Sequence, residues 1–349
     1  MREALLYQKL EEDRVRCDLC AHRCQIGPGK RGICRVRENR GGILYSLVYG
    51  RLVAANVDPI EKKPLFHFQP SSTSFSVATV GCNFQCLFCQ NHNLSQAPVK
   101  GDVGGSFLPP EDLVALAQRY GCKSISYTYT EPTIFLEYAY DTARLAHRVG
   151  IKNIFVTNGY LTEEALDLMG PYLDGANVDL KGFQDAIYKR VMKARLGPVL
   201  DCLKSLKRRG IWVEVTTLVV PTLNDSEDEL KEIAEFVRSL GEETPWHVSR
   251  FHPHFRMAHL PPTPLKALNR AWEIGREAGL RYVYSGNVPG DKGESTYCYG
   301  CGRLLIRRYG FSILEYNLKE GRCPSCGAQI DGVGMEEGVR LPQPWRIFG

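Results

Sequence analysis

Cysteine is the residue that most constrains how this chain can fold. There are 13 cysteines in 349 residues, and 11 of them fall into three tight groups. In chain order, the groups are Cys17, Cys20, Cys24 and Cys34; Cys82, Cys86 and Cys89; and Cys298, Cys301, Cys323 and Cys326. The N-terminal segment lacks the features of a secretion signal, so we expect a cytoplasmic, reducing location, where close-spaced cysteines bind metals more often than they form disulfides. The pattern therefore predicts three metal sites, one of them short of a protein ligand.

The rest of the composition is that of an ordinary globular protein. Apolar residues make up 44% of the chain and charged residues 24%, which excludes a disordered, collagen-like or coiled-coil protein. No run of about eighteen consecutive apolar residues occurs, so the sequence predicts no membrane span. The net charge of +5 is too small to predict nucleic-acid binding by itself.

Strands and helices are expected to alternate from about residue 74 onward. Apolar, β-prone runs occur at 75–80, 124–129, 153–157, 176–180, 211–220, 246–251 and 282–287, with helix-like stretches between most of them. Such alternation is typical of a parallel sheet covered by helices. Six or seven units are too few for a complete eight-unit barrel of about 250 residues. The sequence therefore predicts an α/β fold with a partial (β/α)6-type barrel.

Three regions are predicted along the chain. Residues 1–73 would form an N-terminal cysteine-rich lobe with a short helix followed by β-structure, 74–290 the barrel, and 291–349 a zinc-ribbon-like module and tail. The charged run from Glu61 to Lys63 is expected to be a solvated face. The two isolated cysteines, Cys122 and Cys202, are expected to be buried apolar fillers.

The central cysteines directly follow the first strand of the predicted barrel. In GCNFQCLFCQN, Cys82, Cys86 and Cys89 have the spacing C-x3-C-x2-C. Thiolates suit iron–sulfur clusters, zinc or copper, and a [4Fe–4S] cluster normally takes four cysteines. Three cysteines would leave one iron open to another ligand, at the strand ends where barrel enzymes place their sites. The alternative is a structural zinc site completed by His67 or His92.

The same segment resembles the signature of the radical SAM superfamily. CNFQCLFC has the three cysteines and an aromatic residue before the last one. SYTYTEPT, VTNGY, NVDLKG, VVPTLND and VSRFHP then follow in the order seen in relatives of pyruvate formate-lyase activating enzyme. With CDLCAHRCQI in front and TYCYGCGRLL behind, the chain looks most like the radical SAM enzyme of the AmmeMemoRadiSam system. The resemblance covers nearly the whole chain.

The resemblance implies roles for the matching residues. Cys82, Cys86 and Cys89 would hold a [4Fe–4S] cluster whose fourth iron is chelated by S-adenosylmethionine, and Phe88 would shield the cluster and contact the adenine. In the superfamily, the backbone of a Gly-Gly-Glu turn receives the methionyl amino group. The corresponding turn of this chain, TYTEP, contains no glycine. The remaining cofactor-contacting positions would be Tyr129, Thr130, Glu131, Thr157, Asn158, Asp179 and Lys181.

Some of these positions have a second interpretation. Asn158 and Asp179 are also residues that turns favour. Four further polar residues near strand ends could belong to a substrate site, or to the core and surface loops: Tyr127, Arg250, His252 and His254.

The two flanking cysteine sets are expected to be largely structural. Cys298, Cys301, Cys323 and Cys326 form two C-x2-C knuckles, which predict a tetrahedral zinc ribbon, with rubredoxin-like iron as the alternative. Such a site would staple a module of about 35 residues that is too small for its own core. Between the knuckles, Arg303, Arg307 and Arg308 are expected on a solvated strand face.

The N-terminal set has the spacing C-x2-C-x3-C-x9-C, which is not that of a standard ferredoxin. For Cys17, Cys20, Cys24 and Cys34 the sequence leaves two metals open. One is zinc that holds the lobe together, and the other is a second iron–sulfur cluster that relays electrons.

These features predict an enzyme. The resemblance implies reductive cleavage of S-adenosylmethionine to a 5′-deoxyadenosyl radical, which abstracts hydrogen from a substrate, with a reductant such as ferredoxin or flavodoxin. The substrate would be a glycine of a partner enzyme, or a small molecule or protein handled with Memo-type and Ammecr-type partners. The alternative is a non-catalytic zinc-binding module for nucleic acid or protein, with about three zinc ions and no iron.

Overall fold

An N-terminal lobe of short antiparallel strands opens the structure, a computed structural model that describes residues 1–97 and 103–337. Its strands are β1 (Arg2–Glu3), β2 (Tyr7–Lys9), β3 (Val15–Cys17), β4 (Gln25–Ile26), β5 (Arg37–Arg40), β6 (Ile43–Ser46) and β7 (Arg51–Leu52). β1, β6 and β5 form one sheet, and β2, β3 and β4 form a second. The two small sheets carry the first cysteine set.

The helix expected at the start of this lobe is wrong. Residues Tyr7–Lys9 pair antiparallel with Val15–Cys17, so the segment is extended. The turn between them has Glu12 and Asp13 in the left-handed region, with φ of 57° and 52°. Tertiary pairing therefore overrides a helix-like local pattern, and it places Cys17 at the end of a strand.

The centre of the molecule is an eight-stranded sheet with the predicted parallel strands. Its strands are β8 (Ala54–Pro59), β9 (Thr73–Ala78), β11 (Ser124–Tyr127), β12 (Lys152–Thr157), β13 (Gly175–Asp179), β14 (Trp212–Val219), β15 (Trp246–Arg250) and β16 (Val283–Gly286), while β10 (Ser106–Phe107) pairs with β7. The order is β16-β15-β14-β13-β12-β11-β9-β8. The seven strands from β9 to β16 in this sheet run parallel. Of the described strands, β16 and β8 form the two edges, so the α/β fold with a partial barrel is confirmed.

Strand β8 extends the sheet on the N-terminal side of the predicted barrel. Ala54 pairs with Ala78 and Pro59 with Thr73, in antiparallel register. The predicted boundary between residues 73 and 74 therefore falls inside β9, directly after its first residue, and assigns the paired strands β8 and β9 to different regions.

Helices connect the strands. They are α1 (His92–Ser95), α2 (Pro110–Arg119), α3 (Leu136–Arg148), α4 (Glu163–Met169), α5 (Asp185–Ile187), α6 (Leu196–Arg208), α7 (Glu227–Leu240) and α8 (Leu265–Glu277). Of these, α3, α6 and α8 pack against the sheet. The side chains of Thr162 and Ser226 accept hydrogen bonds from the backbone amides of Ala165 in α4 and Glu229 in α7, which stabilises these helix starts. In the described part of the chain, no helix combines the length and the apolar character needed to span a bilayer.

A small antiparallel sheet forms the C-terminal module. Its strands are β17 (Thr296–Tyr297), β18 (Leu304–Tyr309) and β19 (Ser312–Tyr316). Leu305, Ile306 and Ile313 pack with Phe66 and Tyr284 into one apolar cluster that joins the module to the barrel. This module agrees with the predicted zinc-ribbon-like fold; its predicted tail beyond residue 337 lies outside the described residues.

Arg308 of this module is buried, which corrects the expectation of a solvated strand face. Its guanidinium carbon lies 4.2 Å from the ring centroid of Phe66, and it donates hydrogen bonds to the Phe66 carbonyl and the Thr296 hydroxyl. The neighbouring Arg307 is exposed and pairs with Glu315 at 3.1 Å. A cationic side chain at 308 therefore serves the contact between module and barrel.

Candidate active site

The central cysteines lie in the loop that follows β9, at the carboxyl end of the parallel sheet. The backbone amide of Gln85 donates to the Met192 carbonyl at 2.9 Å, and that of Leu87 to the Val191 carbonyl at 3.2 Å. On the other side, the Gly81 amide donates to the Leu94 carbonyl at 3.0 Å. The loop is therefore fixed between the π-helical turn Tyr188–Met192 and α1.

The cysteine sulfurs have polar neighbours that suit a bound cluster. The Phe84 amide donates to Cys82 Sγ at 3.4 Å, and Ser95 Oγ lies 3.1 Å from Cys89 Sγ. Burial raises the pKa of the Cys86 thiol to about 12, and the nearby Lys181 ammonium opposes that rise. Amide and hydroxyl donors to sulfur are the contacts that tune iron–sulfur clusters.

The spread of the sulfurs separates a cluster from a single ion. Across residues 1–97 and 103–337, the C-terminal cysteines are the one set of ligand atoms that all lie within 4.8 Å of one another. A tetrahedral zinc ion with 2.3 Å bonds needs sulfurs about 3.8 Å apart. Cys82, Cys86 and Cys89 are more open than this, as expected when each cysteine binds a different iron of a cubane. The zinc interpretation is not supported here, and His67 instead lies beside Asp331 and Tyr284.

Glu131 connects the carboxyl ends of the next two strands, β11 and β12. Its buried carboxylate accepts hydrogen bonds from Thr157 Oγ1 at 2.7 Å and from the Asn158 amide at 2.8 Å. It also accepts from the amide and hydroxyl of Thr133. Burial raises the pKa of this carboxyl, and the Asn158 amide opposes the rise. These hydrogen bonds fix the ends of β11 and β12 relative to each other.

Asn158 and Asn83 present unsatisfied polar atoms next to the cysteine loop. Asn158 Nδ2 donates to Asn83 Oδ1 at 2.7 Å and lies 4.0 Å from Cys82 Sγ. Asn158 Oδ1 and Asn83 Nδ2 are buried and have no hydrogen-bond partner among the described residues. Buried polar atoms normally have partners, so this acceptor and donor fit a polar ligand such as the methionyl group of S-adenosylmethionine.

Tyr129 takes a backbone conformation that glycine would adopt more easily, in the turn that precedes Glu131. Its φ of 61° is in the left-handed region, which a glycine would adopt freely and a tyrosine adopts at a cost of about 1–2 kcal/mol. The conformation is secured by the side chain, because its hydroxyl donates to Asp58 and the Lys63 ammonium lies 4.6 Å from its ring centroid. Asn91 Nδ2 donates to its carbonyl at 2.8 Å. The adjacent Thr130 hydroxyl donates to the Thr79 carbonyl at 2.8 Å.

The run from Glu61 to Lys63 is not a solvated face, in contrast to the expectation. Lys63 is 1% exposed and donates to Asp58 at 2.6 Å, and burial lowers its pKa to about 8 against the effect of Asp58. Glu61 is equally buried and accepts from the Ser71 amide at 2.8 Å. Lys62 is the exposed member. Glu61 and Lys62 belong to a short 3-10 turn, Ile60–Lys62, and Lys63 caps its C-terminal end.

Asp179 and Lys181 lie together at the end of β13. Their side chains form an ion pair of 2.8 Å, and the Lys181 amide donates to the Tyr188 hydroxyl at 2.9 Å. Lys181 Nζ lies 5.9 Å from the ring centroid of Phe88, which is buried. The predicted Asp-x-Lys pair therefore borders the cysteine loop at Phe88.

The weaker candidates lie outside this group. Tyr127 is fully buried and its hydroxyl donates to Asn153 at 3.2 Å, so it belongs to the core. Arg250 donates to the Thr263 carbonyl at 2.9 Å, and His252 is exposed. The His254 ring lies 5.1 Å from that of His92, at the rim of the loop. The sequence offered no signal for Asn83, whose importance depends on its contact with Asn158.

The C-terminal cysteines have the geometry of a mononuclear site. Cys298 Sγ and Cys326 Sγ are 3.5 Å apart, and Cys301 Sγ and Cys323 Sγ are 3.7 Å apart. These distances match the spacing of about 3.8 Å expected around one tetrahedral zinc ion. The N-terminal set lines a separate pocket, described below.

Three features thus occupy consecutive strand ends: the cysteine loop, the hydrogen bonds around Glu131, and the Asp179–Lys181 pair. A comparison with known families finds that the sequence profile of the Radical SAM superfamily matches residues 76–237. Residues 76–237 belong to this superfamily. Superfamily membership implies a [4Fe–4S] cluster and S-adenosylmethionine as cofactors.

Relatives of this chain are found at several levels of sequence identity. An uncharacterized protein of Methanocaldococcus jannaschii is 49% identical over 334 residues, which cover 95% of this chain and 99% of the relative. Pyruvate formate-lyase 1-activating enzyme of Escherichia coli K12 is 24% identical over 169 residues, 46% of this chain and 67% of that enzyme. A radical SAM methyltransferase from Sphaerobacter thermophilus superposes with a TM-score of 0.50 at 16% identity, covering 68% of this chain and 71% of that one. This structural likeness shows a shared fold.

Proposed function

We propose that this protein is a radical SAM enzyme whose cluster is held by Cys82, Cys86 and Cys89 and completed by S-adenosylmethionine. When bound, the cluster and S-adenosylmethionine together supply reductive cleavage and a radical that abstracts hydrogen from a substrate. The observation that carries the proposal is the pair of unpartnered buried atoms, Asn158 Oδ1 and Asn83 Nδ2, beside Cys82.

The chain's contribution begins with orientation. The Glu131 carboxylate fixes the Asn158 amide and the Thr157 hydroxyl, so the two strand ends keep one relative position. Asn158 then presents its free carbonyl oxygen to a donor such as the methionyl ammonium, and Asn83 its free amide to an acceptor. Such fixed polar groups determine which end of a ligand faces the cluster.

Aromatic side chains exclude water from the same region. Phe84 and Phe88 of the cysteine loop are buried, and the Phe84 ring lies 5.0 Å from that of Tyr160 and 6.4 Å from that of Tyr188. Lys181 places its charge over Phe88 and is neutralised by Asp179. A dry site protects a radical from side reactions with solvent.

The substrate is proposed from the relatives. Resemblance to an activating enzyme at 24% identity supports hydrogen abstraction from a backbone glycine of a partner enzyme as the first substrate class. The Memo-type and Ammecr-type partners implied by the sequence resemblance are a second proposal, and a low-potential reductant of the ferredoxin or flavodoxin type would serve either substrate. Formation of a glycyl radical on an added glycyl radical enzyme, detected by electron paramagnetic resonance, supports the first and its absence excludes it.

The reaction class is tested with anaerobically reconstituted protein, dithionite and S-adenosylmethionine. We expect 5′-deoxyadenosine from the native chain and none from Cys86→Ala. Cys122→Ala is the matched control, since Cys122 is also buried but lies before β11 and outside the loop. Product from Cys86→Ala at the native rate would overturn the proposal, as would its absence from the native protein at full iron content.

A further inference from the structure

A second cysteine pocket lies directly against the candidate active site. Cys17, Cys20, Cys24 and Cys34 all line it. The rest of its wall is mainly apolar, from Leu19, Ile26, Ile33 and Ile134, with Arg37, Asn83 and Thr133 among the polar members. Four thiols in one largely apolar pocket form a ligand set that suits a soft metal centre.

The fold brings the segment 17–24, which carries three of the cysteines, together with Cys34. Cys17 ends β3, and its amide donates to the Cys24 carbonyl at 2.9 Å. The Arg23 amide donates to the Cys20 carbonyl at 2.9 Å, closing a turn between the second and third cysteines. The segment is tied to the barrel because the Ala21 amide donates to the Tyr160 carbonyl at 2.9 Å.

The spacing of the sulfurs argues against a single zinc ion. The four C-terminal cysteines satisfy a mutual limit of 4.8 Å, whereas no three ligand atoms of the N-terminal set do, although all four residues are described. One protein thus contains a compact set with the geometry of one tetrahedral ion and a more open set around a shared pocket. An open set of four cysteines matches a cubane, in which each sulfur binds a different iron.

A buried donor points to the same conclusion. Arg37 lines the pocket and its side chain is 2% exposed. Its terminal nitrogens pair with Glu137, but Arg37 Nε has no hydrogen-bond partner among the described residues. Arg37 shares the pocket lining with Cys17 and Cys34. An N–H group in this position suits the sulfur atoms of a cluster.

The pocket and the candidate active site share a wall. Asn83, which lies between Cys82 and Cys86 in the chain, lines the pocket and also bonds Asn158. From the other side, His22 Nε2 lies 2.8 Å from the Asn83 carbonyl. Thr133 lines the pocket and donates to Glu131. One layer of side chains therefore separates the two cysteine sets.

We propose that Cys17, Cys20, Cys24 and Cys34 bind a second [4Fe–4S] cluster that exchanges one electron with the cluster at Cys82, Cys86 and Cys89. The second cluster goes from the 1+ to the 2+ state as the first goes from 2+ to 1+. A one-electron reductant of the ferredoxin or flavodoxin class restores it. The identity of the electron acceptor rests on the proposed function, whereas the second cluster itself does not.

The metal content of the native chain, purified and reconstituted without oxygen, gives the first test. The proposal predicts about eight irons, eight sulfides and one zinc per chain. A zinc site in the lobe predicts about four irons, four sulfides and two zinc ions, and this result would overturn the proposal. Sulfide counting separates a cluster from rubredoxin-like iron, which contains no sulfide.

Two reciprocal variants locate the clusters. Cys82→Ala/Cys86→Ala/Cys89→Ala leaves the lobe intact and is expected to keep about four irons with a [4Fe–4S] signal in electron paramagnetic resonance. Cys17→Ala/Cys24→Ala is expected to lose the iron of the lobe and to keep about four irons at Cys82, Cys86 and Cys89. If the triple variant loses no iron, the proposed function fails while the second cluster stands; if it binds zinc in the lobe and no iron, the second cluster is wrong.

The electron exchange has its own readout. Two reduced clusters separated by one layer of side chains interact magnetically, so the spectrum of the reduced native protein should be broader than the sum of the two variants. Spectra that add without broadening, at full iron content, would overturn the exchange.

Discussion

The Glu131 carboxylate accepts a hydrogen bond of 2.8 Å from the Asn158 backbone amide, so a side chain at the end of one strand fixes the backbone at the end of the next. This contact connects two segments that are 27 residues apart in the chain. It explains why a buried carboxylate, which is costly by itself, is present at this position.

Replacing Glu131 by glutamine should disturb the site without changing its size. Four hydrogen-bond donors from three residues converge on the carboxylate. In glutamine, an NH2 group would replace one carboxylate oxygen, and this group cannot accept their hydrogen bonds. We expect a loss of about 1–3 kcal/mol in stability and at least a tenfold rise in the KM for S-adenosylmethionine. Denaturant unfolding and 5′-deoxyadenosine formation measure both. Glu235→Gln, on the exposed side of α7, is the control, and equal behaviour of the two variants would contradict the positioning role.

Asn158→Ala should affect cofactor binding more than folding. The change removes the bond to Asn83 and the unpartnered oxygen beside Cys82. We expect a weaker apparent affinity for S-adenosylmethionine by about tenfold, the equivalent of one charge-assisted hydrogen bond, with iron content unchanged. A native KM in Asn158→Ala would show that this side chain does not contact the cofactor.

Backbone strain at Tyr129 is measurable by comparing two truncations. Tyr129→Gly and Tyr129→Ala both remove the ring and its hydrogen bond to Asp58. Only alanine keeps the penalty of the left-handed conformation, so Tyr129→Gly should be the more stable variant by about 1 kcal/mol. Thermal unfolding of the two proteins gives the difference. If alanine is equally stable, the turn does not hold a positive φ in solution.

Acid should destabilise the contact between the barrel and the C-terminal module through His67. Burial lowers the pKa of His67 to about 4, against the attraction of Glu214 and with Arg308 nearby. The unfolded chain therefore takes up a proton near pH 6.5 that the folded ring refuses until about pH 4. Stability should fall by about 2 kcal/mol between pH 7 and pH 5 from this group. The variant His67→Gln should show a flatter pH dependence of unfolding, and an unchanged slope would contradict the assignment.

The sequence predicted the parallel strands and the position of the cysteine loop because both depend on local patterns. Periodic apolar runs define strands, and the C-x3-C-x2-C spacing lies within a single loop. It also predicted that the residues around Glu131, Asn158 and Lys181 occupy successive strand ends, which follows from the topology of a parallel sheet. Their individual roles remain predictions.

The errors arose where long-range contacts decide the local state. Tyr7–Lys9 is extended because it pairs with β3, and β8 joins the barrel because it pairs with β9. Lys63 is buried because its ammonium pairs with Asp58. Arg308 is buried because its guanidinium stacks on the ring of Phe66. The pairing partner of Asn83 could not be inferred either, since it is 75 residues away in the chain.

The central claim is that three cysteines leave one iron open for S-adenosylmethionine. Electron–nuclear double resonance on the reduced protein with S-adenosylmethionine labelled by ¹⁵N at the amino group and ¹⁷O at the carboxylate tests it directly. We expect hyperfine coupling of both labels to the cluster in the native chain and in Cys17→Ala/Cys24→Ala, with none in Cys86→Ala. A fully loaded cluster that shows no coupling to either label would contradict it.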